Sequence, residues 1–164
     1  MLIFLKNKDT LSVDDFKFKC SIGKNGISKN KIEGDKCTPQ GTFEIGSLYF
    51  RKDRNQKPQT DIKTKIIKKN MGWCDDPKSK LYNKEIIIDK QIKHEKLFRE
   101  DSIYDYLLVI KYNTKKRYPF KGSAIFIHIS KDNNTPTQGC VALNLDDFRE
   151  ILITLKPSDK IRIN

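Results

Sequence analysis

The sequence contains no apolar run approaching the ~20 residues that a membrane-spanning helix needs. Its opening, "MLIFLKNKDTL", turns polar at Lys6. A secretory leader needs a longer apolar region and a small-residue cleavage site. The expectation is therefore a chain that stays in the cytoplasm, leaves by another route, or is given without its leader. No Cys-x-x-Cys pair is present among Cys20, Cys37, Cys74 and Cys140, which excludes a zinc ribbon and a thioredoxin-like motif. A metal site built from Cys37, Cys74, His94 and His128 would lack any metal-ligand spacing. No metal and no other cofactor is expected. No segment repeats at a period of ~20–50 residues, so solenoids and propellers are excluded.

What is present fits one folded domain over residues 1–164: 37% of residues are hydrophobic and 33% charged. The net charge is +12, which is compatible with an anionic partner. The lysines are dispersed as "KNK", "KIIKKN" and "NTKKR". That reads as an overall compositional bias, with no compact basic cluster interleaved with aromatics, so no nucleic-acid partner is expected. Nothing in the pattern sets an oligomeric state.

The first 50 residues read as β, in "LIFLK", "DFKFKCSIG" and "TFEIGSLYF", around a long loop from Gly23 to Thr42 that is rich in turn formers. The lysine-rich stretch 51–70 has no clear period. "MGWCDDPKSKLYN" reads as irregular structure around Trp73, "KEIIID" as a short strand and "HEKLFRED" as a short helical turn. "YDYLLVIKYN" and "SAIFIHI" are strong strands. The clearest helix follows Asn144. Asp146 and Asp147 suit its first turn, and Leu145, Phe148, Ile151, Leu152 and Leu155 share one face before Pro157. "DKIRIN" reads as a closing strand. The class is mainly β, with a few short helices and one helix near the C-terminus.

Chemistry concentrates in "SAIFIHIS…TPTQGCVALNLDDF". His128 ends a strand. Nine polar or turn-prone residues then lead to Gly139 and Cys140. A thiol reacts as thiolate, so near neutral pH it needs a base or a positive field. His128 can supply the base, main-chain N–H groups near Cys140 can receive an oxyanion, and Gly139 permits a sharp turn. The same residues also fit a buried small-apolar cysteine and a histidine that is merely hydrogen-bonded.

This segment resembles the active-site region of the L,D-transpeptidase catalytic domain, the YkuD-type family, in which a histidine precedes Ser/Thr-x-Gly-Cys. "GKNGI", "KIEGDKCTPQGTFEI", "GWCDDP" followed by "YN", and "KHEKLFREDSIYDYLLVIKYN" are similar to a small-protein branch of that family. The resemblance spans about Ile22 to Leu152. It implies a single-domain, β-sandwich-like fold, Cys140 as nucleophile, His128 as general base, and Gly139 shaping the oxyanion region. Thr137 occupies the Ser/Thr position. It implies acyl transfer between peptidoglycan stem peptides or muropeptides, and so a place in the cell envelope or periplasm. Two positions depart from the family pattern: Gln138 stands where a histidine is usual, and Ala142 where an arginine is usual. The missing cation is one that could hold a donor carboxylate, and Arg99 or lysines are candidates to replace it. Trp73 is a candidate groove wall or a core anchor, His94 and Arg99 are candidate contacts to the site, and Asp75 and Asp76 are candidates for an acceptor amine. Tyr104 and Asp105 are candidates to orient His128. A cysteine hydrolase of the same constellation and a non-catalytic basic domain that binds an anionic polymer are the alternatives.

Overall fold

The computed structural model describes residues 2–132 and 135–164. The strands are β1 (Leu2–Leu5), β2 (Thr10–Val13), β3 (Phe16–Ser21), β4 (Ile27–Ser28), β5 (Thr38–Pro39), β6 (Gly41–Phe50), β7 (Thr64–Ile66), β8 (Met71–Cys74), β9 (Glu85–Ile87), β10 (His94–Lys96), β11 (Tyr106–Ile110), β12 (Phe126–Ile129), β13 (Val141–Leu143) and β14 (Lys160–Ile163). Helix α1 (Leu145–Thr154) lies between the last two. In "FKFKCS" the side chains alternate: Phe18 and Cys20 are buried while Lys17 and Lys19 stay in water, the period a half-buried strand requires.

The main sheet closes on itself. The circuit β6–β11–β12–β13–β3–β2–β1–β14 returns to β6. Two strands make the closure possible by serving both layers. Residues 41–44 of β6 pair with β14, and the remainder pairs with β11 across a register break between Leu108 and Ile110. Residues 16–19 of β3 pair with β2, while Cys20 and Ser21 pair with β13. The result is the expected mainly β, sandwich-like single domain.

The strands that carry the site are buried on both faces. Along β12, Ile127 and Ile129 join one core with Leu108, Leu143 and Phe148, while Phe126 joins a second with Tyr49, Trp73 and Leu107. That double burial is why "YLLVI" and "SAIFIHI" read as continuous apolar runs. Helix α1 begins as expected. The Asn144 side chain accepts the Asp147 N–H at 2.9 Å, and Phe148, Ile151 and Leu152 are buried.

Two expectations are corrected. "HEKLFRED" supplies no helical turn: His94, Glu95 and Lys96 form β10, paired with Cys74, Trp73 and Gly72. "MGWC" is not irregular but is strand β8, the centre of a three-stranded sheet β10–β8–β9. In both cases long-range pairing overrides a local composition of Glu, Lys and Gly that favours no strand. Among the described residues α1 is the one α-helix, so the further short helices are absent there.

Candidate active site

Three loops that lie far apart in sequence are laced together beside Cys140. Gly23 donates its N–H to Thr38 Oγ1 at 2.9 Å, and a Cβ at Gly23 would stand 2.4 Å from the Lys36 carbonyl oxygen. Thr137 donates its N–H to the Ile22 carbonyl at 2.8 Å and accepts from Lys24 N–H at 2.9 Å. The Thr137 hydroxyl donates to the Cys140 carbonyl at 2.6 Å and accepts the Gly139 N–H at 3.0 Å. Gly139 sits at φ +139, and a Cβ there would lie 2.8 Å from the Cys37 carbonyl oxygen, so only glycine fits this turn without displacing its neighbour. Asn133 and Asn134, in the middle of the connecting loop, lie outside the described residues.

The turn seats Cys140 against β12. Its thiol donates to the Ala124 carbonyl at 3.2 Å, and its sulfur accepts the Phe126 N–H at 3.4 Å. Ala124 is held in turn by Asn83, whose Oδ1 accepts both the Ala124 N–H (3.1 Å) and the Trp73 indole N–H (2.9 Å). Trp73 is therefore a core anchor. It is buried, packs edge-on to Phe126 and Tyr49, and does not line the cavity at Cys140. Its link to the site is indirect, through Asn83.

His128 and Cys140 line one cavity of about 540 Å³. His128 Nδ1 lies 2.9 Å from the Ile129 carbonyl. A carbonyl only accepts, so Nδ1 carries the proton and Nε2 presents a lone pair. Burial lowers the His128 pKa to about 4, with the Arg99 charge acting in the same direction. Burial, with the Glu95 charge second, raises the Cys140 thiol to about 12. The resting pair is thus neutral thiol and neutral imidazole. Tyr104 places its ring edge against His128, centroids 5.5 Å apart, and its hydroxyl donates to Glu95. Asp105 faces elsewhere, bonded to Arg54 and Asn55.

Gln138, His94, Arg99 and Thr137 all line the cavity. Both functions of the Thr137 hydroxyl are spent inside the turn. His94 Nδ1 is 2.6 Å from the Ile92 carbonyl, and Arg99 forms a two-pronged pair with Asp101 at 2.8 and 2.6 Å. Ala142 sits beside His128 across the β12–β13 ladder and also lines the cavity, where cations come instead from Lys31, Lys93, Arg99 and Lys131. Asp75 also lines the cavity. Its Oδ1 is buried without a hydrogen-bond partner among the described residues, while Oδ2 is 3.7 Å from Lys93 Nζ. Asp76 is not among the lining residues. Sequence reasoning missed Glu95. A single carboxylate in a lysine-rich stretch carries no local signal, and only the β10–β8 pairing aims it at the cavity. No group of three or more His, Cys, Asp or Glu residues converges to hold a metal among the described residues, and no described helix is long and apolar enough to cross a membrane.

A family comparison decides the lineage. The L,D-transpeptidase catalytic domain (YkuD) matches residues 1–163. The chain belongs to the YkuD family. Members act on peptidoglycan at the level of the family. A solved structure, that of the helical cell shape determining protein Pgp2 from Campylobacter jejuni, is similar to this YkuD domain at 16% identity with a TM-score of 0.48. The alignment covers 99% of this chain and 46% of that one, so the YkuD chain described here spans about half the length of that protein. A comparison with curated proteins gives no match.

Proposed function

We propose that this domain is a cysteine acyltransferase of the L,D-transpeptidase type, acting on peptidoglycan stem peptides in the cell envelope. The observation that carries the reading is a thiol and a bare imidazole nitrogen on the wall of one cavity, both held by backbone groups of the same strand region. Cys140 Sγ attacks the carbonyl carbon of the donor amide as its proton passes to His128 Nε2. The tetrahedral oxyanion collapses, the C–N bond breaks, and the His128 proton leaves with the terminal D-amino acid. A thioester remains on Cys140. An amine acceptor then attacks it, transfers a proton to His128, and restores the thiol. Because both groups rest neutral, the proton moves during attack and not before it. Asp75, with its unpartnered oxygen, and Glu95 are the carboxylates that would receive the acceptor's ammonium, and Lys31, Arg99 and Lys131 are cations that would receive donor carboxylates.

The test uses a stem tetrapeptide donor with and without an amine acceptor, together with intact-protein mass spectrometry after exposure to an acylating carbapenem. Cross-linked product and an adduct on Cys140 are expected. Release of the terminal residue regardless of acceptor assigns a hydrolase instead. Absence of both turnover and adduct overturns the enzymatic reading and favours a non-catalytic basic domain.

A further inference from the structure

Asn83 ties three parts of the fold together at the seat of Cys140. It is buried, and it stands just ahead of β9 at φ 55°, a left-handed conformation that asparagine tolerates. Its N–H donates to the Cys74 carbonyl at 2.8 Å, which fixes its backbone against the end of β8. Every hydrogen-bonding position of the side-chain amide is also used. Oδ1 accepts the Trp73 indole N–H at 2.9 Å and the Ala124 N–H at 3.1 Å. Nδ2 donates to the Tyr112 carbonyl at 3.0 Å and to the Asn113 carbonyl at 2.8 Å. The two ends cannot be exchanged, because a flipped amide would set its donors against two N–H groups and its oxygen against two carbonyls. Strand β8, the segment after β11 and the segment before β12 are thereby held in one fixed relation.

The tie that concerns the thiol is Ala124. This residue adopts φ 53°, in the left-handed region that an alanine avoids. Such a conformation persists only where its surroundings over-determine it. Here they are the Asn83 amide on the Ala124 N–H and the Cys140 thiol on its carbonyl, at 3.2 Å. Two residues on, the Phe126 N–H donates to the same sulfur at 3.4 Å. A carbonyl and an N–H two residues apart on one strand are the pair that a neighbouring strand's main chain would bind. The Cys140 side chain takes both places just before the β12–β13 ladder begins with Ile127 opposite Val141. The sulfur is therefore seated as a piece of the sheet, with its proton on a main-chain oxygen. No hydrogen bond joins it to His128 among the described residues.

We infer that Asn83 is a positioning residue for the nucleophile: by holding Ala124 in the left-handed conformation it fixes the carbonyl that keeps the Cys140 proton, and through it the place of Sγ. The inference rests on the reading of Cys140 as a nucleophile, and it adds a residue that does not itself line the cavity. In the first chemical step the S–H···O bond to Ala124 breaks, the proton passes to His128 Nε2, and the electron pair left on sulfur forms the bond to the donor carbonyl carbon. The Phe126 N–H can donate to sulfur before and after the proton leaves, so it holds Sγ through the change. A carbonyl held at Sγ favours thiol over thiolate. The contact that places the sulfur thus also keeps its proton on while the cavity is empty. A purely structural tie would serve the fold equally well through Trp73, Tyr112 and Asn113, and would leave no mark on the sulfur.

The test reads the S–H stretching band of Cys140, which falls in a spectral window clear of other protein absorption. It is taken as the infrared difference between each protein and its Cys140→Ala counterpart. A hydrogen bond to a carbonyl lowers the S–H frequency. Asn83→Gly keeps the left-handed backbone without strain and removes the amide, so the band should move up toward that of a free thiol. Trp73→Phe removes one bond to the same amide and leaves the Ala124 tie, so its band should stay in place although it too loses stability. With a stem-peptide donor, Asn83→Gly should lower kcat about a hundredfold, the scale for a misplaced reacting group. KM should stay within about twofold, the split expected when binding contacts are untouched. Ala124→Val serves if Asn83→Gly does not fold. A β-branched residue is driven out of the left-handed region while Asn83 keeps its bonds to Trp73, Tyr112 and Asn113, so the band should shift in the same direction. A band that stays in place in Asn83→Gly or in Ala124→Val overturns the proposal. So does an equal shift in Trp73→Phe, which assigns Asn83 to packing alone. The band is read with no donor present. Failure of the unaltered protein to turn over a donor therefore strikes the acyl-transfer reading, and the band still decides whether Asn83 positions the thiol.

Discussion

Cys20 and Cys140 belong to opposite faces of one sheet, and burial raises both thiols to about 12. Cys20 pairs with Leu143 and sinks into the core that contains Ile129 and Phe148. Cys140 lies in the second core with Phe126 and Tyr104, yet it also borders a cavity. The pKa therefore does not separate a structural thiol from a candidate nucleophile. What separates them is the neighbourhood. Cys140 has a histidine with a fixed tautomer, a substrate-sized space, and hydrogen bonds to both a donor and an acceptor of the backbone. A nearby carboxylate does not separate them either, since Asp9 beside Cys20 and Glu95 beside Cys140 both oppose ionisation.

The largest contrast is expected in activity. Cys140→Ala should lower acyl transfer by about ten-thousandfold or more, the scale for deleting a nucleophile, while Cys20→Ala should leave the steady-state rate within about twofold, since Cys20 lies in the other core and lines no part of the Cys140 cavity. Equal losses in both variants would collapse the distinction. His128→Ala should reduce the rate by about a thousandfold, within the range for general base catalysis. If the His128→Ala rate were recovered simply by raising pH toward the thiol pKa, the base role would be supported further; an unchanged rate at neutral pH would remove it.

Much of this was legible before any coordinates. The β11 and β12 segments announce themselves as apolar runs, and Asn144, Asp146 and Asp147 mark the helix start; three-residue β13 is too short to show itself and exists through its pairing with β12 and β3. Glycine before Cys140 is required by a close approach to Cys37 that depends on long-range lacing, but its presence beside a cysteine was visible. Of the cavity's carboxylates, Asp75 was visible as a candidate and Glu95 was not. Glu95 acquires meaning only from β8–β10 pairing, and "HEKLFRED" has the composition of a helical turn.

Stability against acid sharpens the comparison from the histidine's side. His128 has a folded pKa near 4 against an ordinary 6.5. Above about pH 6.5 both folded and unfolded states hold it neutral. Between 6.5 and about 4 the unfolded chain binds a proton that the folded protein refuses, so stability falls across that window and levels off below it. The loss attributable to this group is roughly 3 kcal/mol. Urea midpoints measured from pH 7 downward should show it, and His128→Gln should flatten that part of the curve. An identical acid profile in the variant would mean that His128 is hydrated in solution.

The smallest effect concerns Cys20 itself. Its sulfur fills space between β3 and β13 opposite Leu143, so Cys20→Ala removes apolar contact and leaves a small void, at a cost of about 1 kcal/mol. Cys20→Ser should cost more although it is nearly isosteric, because a hydroxyl on the core face loses water without a designed partner. At Cys140 the order should reverse. The Ala124 carbonyl and the Phe126 N–H stand ready to accept from and donate to a hydroxyl, so Cys140→Ser should be tolerated better than Cys140→Ala. Denaturant midpoints of the four variants decide the matter. The same order of Ser and Ala at both positions would show that the two faces of the sheet do not differ in polarity, and the assignment of Cys140 to a polar, reactive setting would lose its physical basis.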